Sequence, residues 1–441
     1  MKNLTWQNPE QLFVAQELIN KVKSKCCGIK VEFVGNVSAF DIFVIFYFWL
    51  YVMKNRGLGV FQHDAEIMRL SKCFAALLVV QIVSETLVDN SLQNAAKGVA
   101  VTAMCYLKFL FVLGLFFKNR SNIVFFLVGT LIANVLFFRV NDFFGLGEMD
   151  VDFQDVKSGE GIAMAYFKFK ISPLINSAAV LLSVWLGFRN LKASIVFIAL
   201  GAISIVLGAR GNGLILLVSG LIPLFLYERI RWNKKKVFVG AALVLAVGAY
   251  SYKMYVDSVL SGKIYGGNAH TQIAKMDNPY NVLELLKIGR TEPFVGLNAF
   301  ADSPWVGWGA WARDPGMYYN TMLLEIQGVR IDKRKLNLDT IPTHSVIVGY
   351  GVYNGVLAML LSVLIIAFFI RCGVIALRRQ SIFSFVLTSS LIGLIWDSLF
   401  SPISSMRFQF VLYFACIYYI YKMMQYPDLA YRYGYIEKDN Q

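Results

Sequence analysis

The stretch SVIVGYGVYNGVLAMLLSVLIIAFFI, residues 345–370, contains no charged side chain. A helix needs about 20 mostly apolar residues to cross the hydrocarbon core of a bilayer. Lipid offers no partners for backbone N–H and C=O groups, so an apolar run that crosses it must be helical. The stretch therefore predicts a transmembrane α-helix, and similar segments occur along the rest of the chain.

The further apolar segments lie at residues 33–53, 73–88, 98–117, 123–138, 173–188, 193–207, 214–227, 237–250, 382–396 and 408–423. Together they predict an all-α, polytopic membrane protein with about 11 or 12 transmembrane helices. In the predicted organisation, transmembrane helices with short loops fill residues 1–250. A large outer loop follows at 251–343, then C-terminal transmembrane helices at 344–424 and a cytoplasmic tail at 425–441.

The composition excludes a soluble protein. Hydrophobic residues make up 57% of the 441 residues and charged residues only 16%, whereas a soluble domain carries about 25% charged residues. Such a chain has too few polar side chains to cover its apolar surface in water. The six cysteines form no CxxC pair, and neither a metal site nor a disulfide framework is predicted.

The net charge of +14 fits a membrane orientation better than nucleic-acid binding. Cytoplasmic loops of membrane proteins carry an excess of Lys and Arg. The basic residues of this chain concentrate in short loops, including 229–236 and 371–380. We therefore expect these loops on the inside and predict no nucleic-acid partner. The acidic loop 139–172 and the segment 251–343 then lie on the outside.

The segment 251–343 is too long for a simple connection, because loops above about 15 residues are usually functional or disordered. Its aromatic and helical-looking content favours order, so we predict a partly helical loop that contains a water-facing site. Trp305 and Trp308, together with Trp311, allow two interpretations. They stack on sugar rings or pyrophosphate-linked lipid, or they form an aromatic belt at the membrane interface.

Arg210 lies in the stretch LGARGNG at 207–213, on the predicted outer side and against the positive-inside trend. Glycines around it allow close backbone approach at the start of the next helix. A helix N-terminus combined with a guanidinium group makes an anion-binding site. The alternative is an arginine that reaches from the membrane to the interface.

His344 lies where the outer loop re-enters the membrane, in the stretch IPTHS at 341–345. An imidazole changes its protonation between about pH 5 and pH 8, which suits a general base at a lipid–water boundary. The alternative is a structural histidine that caps the helix beginning at this point.

Further candidates are isolated ionisable residues near the predicted membrane boundary. Arg290, in GRTE at 289–292, is a second candidate for binding an anion. Asp397 and Arg407 flank the last outer turn, where they either pair structurally or help to hold an acceptor. Ionisable side chains at membrane depth are costly, so Glu85 and Lys108 are expected to pair with each other.

The sequence contains no HExxH, GxSxG or Walker motif in a suitable context. Asp150 and Asp152 form a DxD, but this short pattern arises often by chance in an acidic loop. A nucleotide-driven transporter and a glycosyltransferase with a carboxylate-bound metal are therefore not favoured. No cofactor and no metal is predicted.

Taken in chain order, four features form a constellation. They are the GARG turn at 208–211, the Gly289–Arg290 pair, the stretch PWVGWG at 304–309, and His344 followed by the glycines of GYG at 349–351 and Gly355. This order resembles the O-antigen polymerase and O-antigen ligase superfamily of membrane glycosyltransferases. The resemblance is strongest over residues 200–370. The family usually has Ser before the first arginine and Asn after the histidine, where this chain has Ala209 and Ser345.

The resemblance implies a multi-pass protein of the bacterial inner membrane with its active site facing the periplasm. A glycan attached to a polyprenyl diphosphate is transferred there to a hydroxyl acceptor, without nucleotide or metal. Arg210 and Arg290 would bind the diphosphate, where cationic groups stabilise the charge that develops as the glycosidic bond breaks. His344 would take the proton from the acceptor, and attack from the opposite face would invert the anomeric centre.

Three functions remain open. A polymerase adds the growing chain to another lipid-linked repeat unit, whereas a ligase adds it to lipid A–core. The stretch between Gly309 and His344 is basic, with Arg330, Lys333, Arg334 and Lys335, and suits a second diphosphate-linked unit or an anionic core sugar. We favour the polymerase. A lipid-linked glycan transporter is the third hypothesis, against which the lack of an internal repeat counts. The sequence does not decide whether a chain-length regulator associates.

Overall fold

The structure is a computed structural model that describes residues 30–32, 36–55, 61, 64–88, 90–119, 121–143, 167–227, 250, 252–262, 273, 276, 278–281, 284, 288–327 and 340–426. The predicted apolar segment 237–250 lies outside these residues except for its last position. The basic loop 229–236, the stretch with Arg330 and Lys333, and the tail beyond 426 also lie outside them.

The described part of the chain is mostly helical, as the apolar segments predicted. The helices are α1 (Ala39–Asn55), α2 (Ala65–Leu87), α3 (Leu92–Lys118), α4 (Asn122–Phe143), α5 (Ser172–Leu186), α6 (Asn190–Val206), α7 (Arg210–Tyr227), α8 (Thr291–Asp302), α9 (Tyr318–Ile326), α10 (Val346–Ala376), α11 (Ser384–Phe400) and α12 (Gln409–Gln425). Residues 252–260 form a further helical segment. Helices α8 and α9 belong to the segment 251–343, which is therefore partly helical.

Four of these helices, α2, α3, α7 and α10, are long and apolar enough to cross a membrane. Helices α5, α6 and α11 are also apolar but shorter, as are the described parts of α1 and α4. The long apolar helices indicate a membrane protein. The total of 11 or 12 membrane crossings remains a prediction.

Several predicted boundaries are corrected by hydrogen bonding that apolar run length does not reveal. The first helix begins at Ala39 rather than at residue 33, because β1 (Lys30–Glu32) pairs antiparallel with β2 (Asn36–Ser38) just before it. Helix α2 begins eight residues before the apolar run, where Asp64 accepts hydrogen bonds from the backbone N–H groups of Glu66 at 3.0 Å and Ile67 at 3.3 Å. A capped polar first turn extends a helix beyond its apolar part.

The acidic loop predicted at 139–172 is shortened at both ends. Helix α4 continues to Phe143, and a π-helical turn, Phe167–Ile171, leads directly into α5. The intervening residues 144–166 lie outside the described part of the chain.

Helices α6 and α7 pack through glycines. A Cβ atom added at Gly213 would come within 2.6 Å of the Gly201 carbonyl oxygen, and one added at Gly220 would come within 2.8 Å of the Phe197 Cβ. Small residues let membrane helices approach closely enough for backbone to meet backbone. Gly213 of the GARGNG stretch therefore serves helix packing, and Arg210 is fixed at the first position of α7.

Helix α10 is broken at Asn354 and Gly355, where φ is −134° and +77°. The loop 304–309 bonds to the backbone at this break. Trp308 N donates to the Val352 carbonyl at 2.7 Å, and Gly309 N donates to the Tyr353 carbonyl at 2.9 Å. Interrupted helix backbone at membrane depth is tolerated where other protein groups satisfy it. The PWVGWG stretch thus meets a structural need at this break.

Candidate functional site

The last turn of α11 contains Trp396, Asp397 and Phe400, and Arg290 lies against its aromatic rings. The Arg290 guanidinium carbon lies 5.5 Å from the centre of the Trp396 ring and 5.7 Å from that of Phe400. Cations at such distances are attracted to the faces of aromatic rings. Arg290 precedes the first residue of α8, so this stacking joins the outer segment to the end of α11.

The start of α7, which carries Arg210, packs against the same tryptophan. The next residue, Gly211, packs against Trp396, where a Cβ atom would lie 3.3 Å from the indole Nε1. The exposed Arg210 side chain donates from Nη2 to the Tyr255 hydroxyl at 2.7 Å, with its guanidinium 5.4 Å from the ring centre. Trp396 therefore contacts both the Arg210 turn and the Arg290 side chain, which are 80 residues apart in sequence.

Asp397 is buried beside this pair and is held by two hydroxyl groups. It accepts hydrogen bonds from Ser401 Oγ at 2.8 Å and from Tyr413 Oη at 2.8 Å. Gly393 makes room for the tyrosine, because a Cβ there would lie 2.7 Å from the Tyr413 ring. Asp397 also interacts electrostatically with Arg290. Asp397, fixed by two hydroxyl groups, is thus close enough to Arg290 for their charges to interact.

Arg290 is half-buried, and its electrostatics follow from that. Burial lowers the pKa of the Arg290 guanidinium, while the carboxylates of Glu292 and Asp397 oppose this decrease. The guanidinium group of an arginine is nevertheless effectively always charged in proteins. A half-buried guanidinium beside two aromatic rings is a weakly hydrated cation, and such a group suits a diphosphate.

His344 is exposed at the start of α10, next to the residue that caps the helix. Ser345, not His344, is the N-cap: its Oγ accepts from Val348 N at 3.3 Å. The same Oγ donates to the Ser398 carbonyl at 3.1 Å, which ties this end of α10 to the last turn of α11. The capping alternative for His344 is therefore wrong, and its imidazole has no hydrogen-bond partner among the described residues.

The expected partners of the other ionisable residues are also corrected. Arg407 pairs with Asp41 at 2.5 Å instead of with Asp397, and Lys108 pairs with the same Asp41 at 2.5 Å instead of with Glu85. Asp41 and Lys108 are each 1% exposed. A buried carboxylate shared by two cations fixes α1, α3 and the start of α12 together. Arg407 thus has a structural role in the described part of the chain.

The three tryptophans have different surroundings. Trp308 donates from Nε1 to the Ala299 carbonyl at 2.7 Å and packs edge-on against Tyr319, and Trp311 packs against Tyr353. Trp305 is 78% exposed. Trp308 and Trp311 therefore belong to the packing of the outer segment, and Trp305 alone presents its ring to the surroundings.

The structure thus brings Arg290 and Asp397 together at the last turn of α11, packs the turn of Arg210 on Trp396 through Gly211, and ties the residue after His344 to the same turn. It leaves Arg407 elsewhere. The residues that sequence reasoning missed are Trp396 and Tyr413. An aromatic residue directly before Asp397 at the end of an apolar segment was the available signal for Trp396, but nothing in the sequence indicates Tyr413. Within the described residues, no group of three His, Cys, Asp or Glu side chains is arranged to hold a metal.

The chain matches no protein-family model, and no curated protein sequence is similar to it.

Proposed function

We propose that this protein polymerises oligosaccharide repeat units carried on polyprenyl diphosphate, by inverting, metal-independent glycosyl transfer. The observation that carries the proposal is that the turn of Arg210, through Gly211, and the side chain of Arg290 pack on one tryptophan, Trp396. This tryptophan lies in the last turn of α11, which is also bonded to the helix start that bears the exposed His344. A pair of arginines suits a diphosphate, and an exposed imidazole suits a hydroxyl nucleophile. We further propose that the site faces the periplasm from a bacterial inner membrane.

In the proposed reaction Arg210 and Arg290 bind the diphosphate of the donor. Arginine presents its N–H groups as a fork that matches two phosphate oxygens at once. The bond between the anomeric carbon and the diphosphate oxygen breaks, and its electron pair stays with the diphosphate. Cations positioned before the reaction stabilise this developing charge without reorganisation. The leaving group itself provides the driving force, so the proposal requires neither nucleotide nor metal.

His344 acts as the general base in this proposal. Its imidazole accepts the proton of an acceptor hydroxyl as the oxygen forms a bond to the anomeric carbon. A positioned base contributes about 10²–10⁴-fold to such a step. The acceptor approaches from the face opposite the diphosphate, so the configuration at the anomeric carbon is inverted. The nature of the sugars remains open.

The direct test is to incubate purified protein with a lipid-linked repeat unit alone. A ladder of longer lipid-linked products supports polymerisation. Product that forms only when lipid A–core is added would identify a ligase. Unchanged substrate under both conditions would contradict glycosyl transfer and favour a transporter.

A matched pair of variants links this assay to the proposed site. Arg210→Lys retains the charge but loses the forked geometry, and we expect it to lose most of the activity. Arg378→Lys makes the same change at an exposed position just beyond the other end of α10. That control should polymerise like the wild type. Equal activity of the two variants would contradict a diphosphate-binding role for Arg210.

A further inference from the structure

Glu85 lies in helix α2, away from the arginines and the histidine, and is 4% exposed. Its carboxylate accepts three hydrogen bonds from nitrogen donors. Oε1 accepts from Ala310 N at 2.8 Å and from Asn354 Nδ2 at 3.1 Å, and Oε2 accepts from Asn90 Nδ2 at 2.6 Å. A buried carboxylate without such donors would be strongly destabilising. These three hydrogen bonds therefore offset the cost of burying the Glu85 carboxylate.

Two of these donors belong to the parts that meet at the break in α10. Ala310 directly follows the loop 304–309, and Asn354 is the first non-helical residue of the break. The neighbouring Ser84 reinforces the contact, since its Oγ donates to the Val306 carbonyl at 2.6 Å. One turn of α2 thus fixes both the loop and the break.

Arg290 and His344 lie at the far ends of the two segments that meet at the break. Helix α8 leads from Arg290 to this loop, and the half-helix 346–353 leads from the break back to Ser345 and His344. Gly296 of α8 packs closely on this half-helix, where an added Cβ would come within 3.0 Å of the Val348 side chain. We call these packed segments the outer unit; it consists of α8, the loop 304–310 and residues 344–354.

We propose that Glu85 is a positioning residue, which holds this outer unit on the helix bundle so that Arg290 and His344 are correctly placed relative to Arg210. The catalytic part of this inference rests on the proposed function, whereas the anchoring part does not. A glutamine at position 85 would turn an NH₂ group towards at least one of the three donors, because an amide cannot accept at both ends. A displacement of about 1 Å at a reacting centre can cost about 10²-fold in rate.

The anchoring part is tested with spin labels at Leu214 in α7 and Leu297 in α8, which are both exposed. Labels carried on a genetically encoded amino acid leave the native cysteines intact. In wild-type protein in nanodiscs we expect a narrow distribution of distances between the labels. Glu85→Gln should broaden or shift it. A distribution like that of the wild type would overturn the inference.

The matched control is Glu66→Gln, the same change in the same helix at its other end. Glu66 binds Lys422 at 2.8 Å and accepts from the Tyr421 hydroxyl at 2.8 Å, so its loss removes an ion pair without touching the loop. We expect the distances between the labels to stay as in the wild type. Equal broadening by both variants would mean a general loss of packing, and would overturn a specific anchoring role.

Exchanging the carboxylate and the amide between positions 85 and 90 provides a rescue experiment. In the double variant Glu85→Gln/Asn90→Asp the new amide at 85 can donate to the new carboxylate at 90. We expect the double variant to narrow the distribution of distances between the labels again and to recover part of the lost turnover. Recovery is only partial because the Ala310 carbonyl loses the hydrogen bond, 3.0 Å long, that it accepts from Asn90 in the wild type. No recovery of either quantity would contradict the proposal. If the wild type forms no ladder, the proposed function fails, while the label distances still decide whether Glu85 anchors the unit.

Discussion

Replacing Trp396 with leucine should weaken the binding of the lipid-linked donor. The change removes the ring that stacks on Arg290 at 5.5 Å, but it leaves Phe400 at 5.7 Å. A cation–π contact contributes about 0.5–1 kcal/mol at exposed sites and about 2 kcal/mol when desolvated. Arg290 is half-buried and keeps one of its two rings, so a loss of about 1 kcal/mol is the appropriate magnitude. That corresponds to about fivefold weaker binding.

The assay is the dissociation constant of the lipid-linked donor measured in detergent or nanodiscs, with turnover measured in parallel. Trp396→Phe retains a ring face and should fall between the leucine variant and the wild type. Trp305→Leu removes the 78% exposed tryptophan of the outer segment and serves as the matched control. We expect it to bind the diphosphate like the wild type. If Trp396→Leu bound the donor as tightly as Trp305→Leu, Arg290 would not depend on this stacking, and the reasoning would be refuted.

Three further predictions address the base, the helix packing and the buried charges. His344→Gln should abolish turnover with donor binding retained, because a glutamine amide keeps a hydrogen-bond donor but cannot accept the proton of the acceptor hydroxyl. Wild-type turnover in that variant would remove His344 from the mechanism. Gly213→Ala should lower the free energy of unfolding by about 1–3 kcal/mol, because the added methyl group meets backbone at Gly201. An unchanged thermal unfolding midpoint would contradict this close contact between α6 and α7. Asp41→Asn should lower the free energy of unfolding by about 3–5 kcal/mol, since Lys108 loses its buried counter-charge. A decrease below about 1 kcal/mol would show that another group neutralises Lys108 in the variant.

The sequence predicted a mostly helical chain correctly for the described residues, because helices in lipid are specified locally. An apolar run of sufficient length has no other way to satisfy its backbone in lipid. Residues 346–370 of the quoted stretch do fall within α10, and Ser345 is its N-cap. The break at Asn354 was not predicted. It depends on a loop some 50 residues earlier in the chain that supplies the missing hydrogen bonds, and hydropathy contains no such information.

The candidate site was predicted in part for a related reason. Arg210, Arg290 and His344 stand out because charged or titratable groups near a membrane boundary are unusual. Their partners do not stand out. Trp396 resembles any interfacial tryptophan, and the pairing of Lys108 with Asp41 rather than Glu85 depends on how the helices pack. Run length and composition determine which residues are unusual, whereas packing determines what each of them contacts.

The central claim is that Arg210 and Arg290 bind one diphosphate, and a double-mutant cycle tests it most directly. Donor affinity is measured for the wild type, Arg210→Lys, Arg290→Lys and the double variant. Residues that share a ligand show coupling energies of about 0.5–3 kcal/mol, whereas independent sites add within about 0.3–0.5 kcal/mol. We predict a double variant that binds the donor only slightly more weakly than the worse single variant. Strict additivity of the two losses would contradict a shared site.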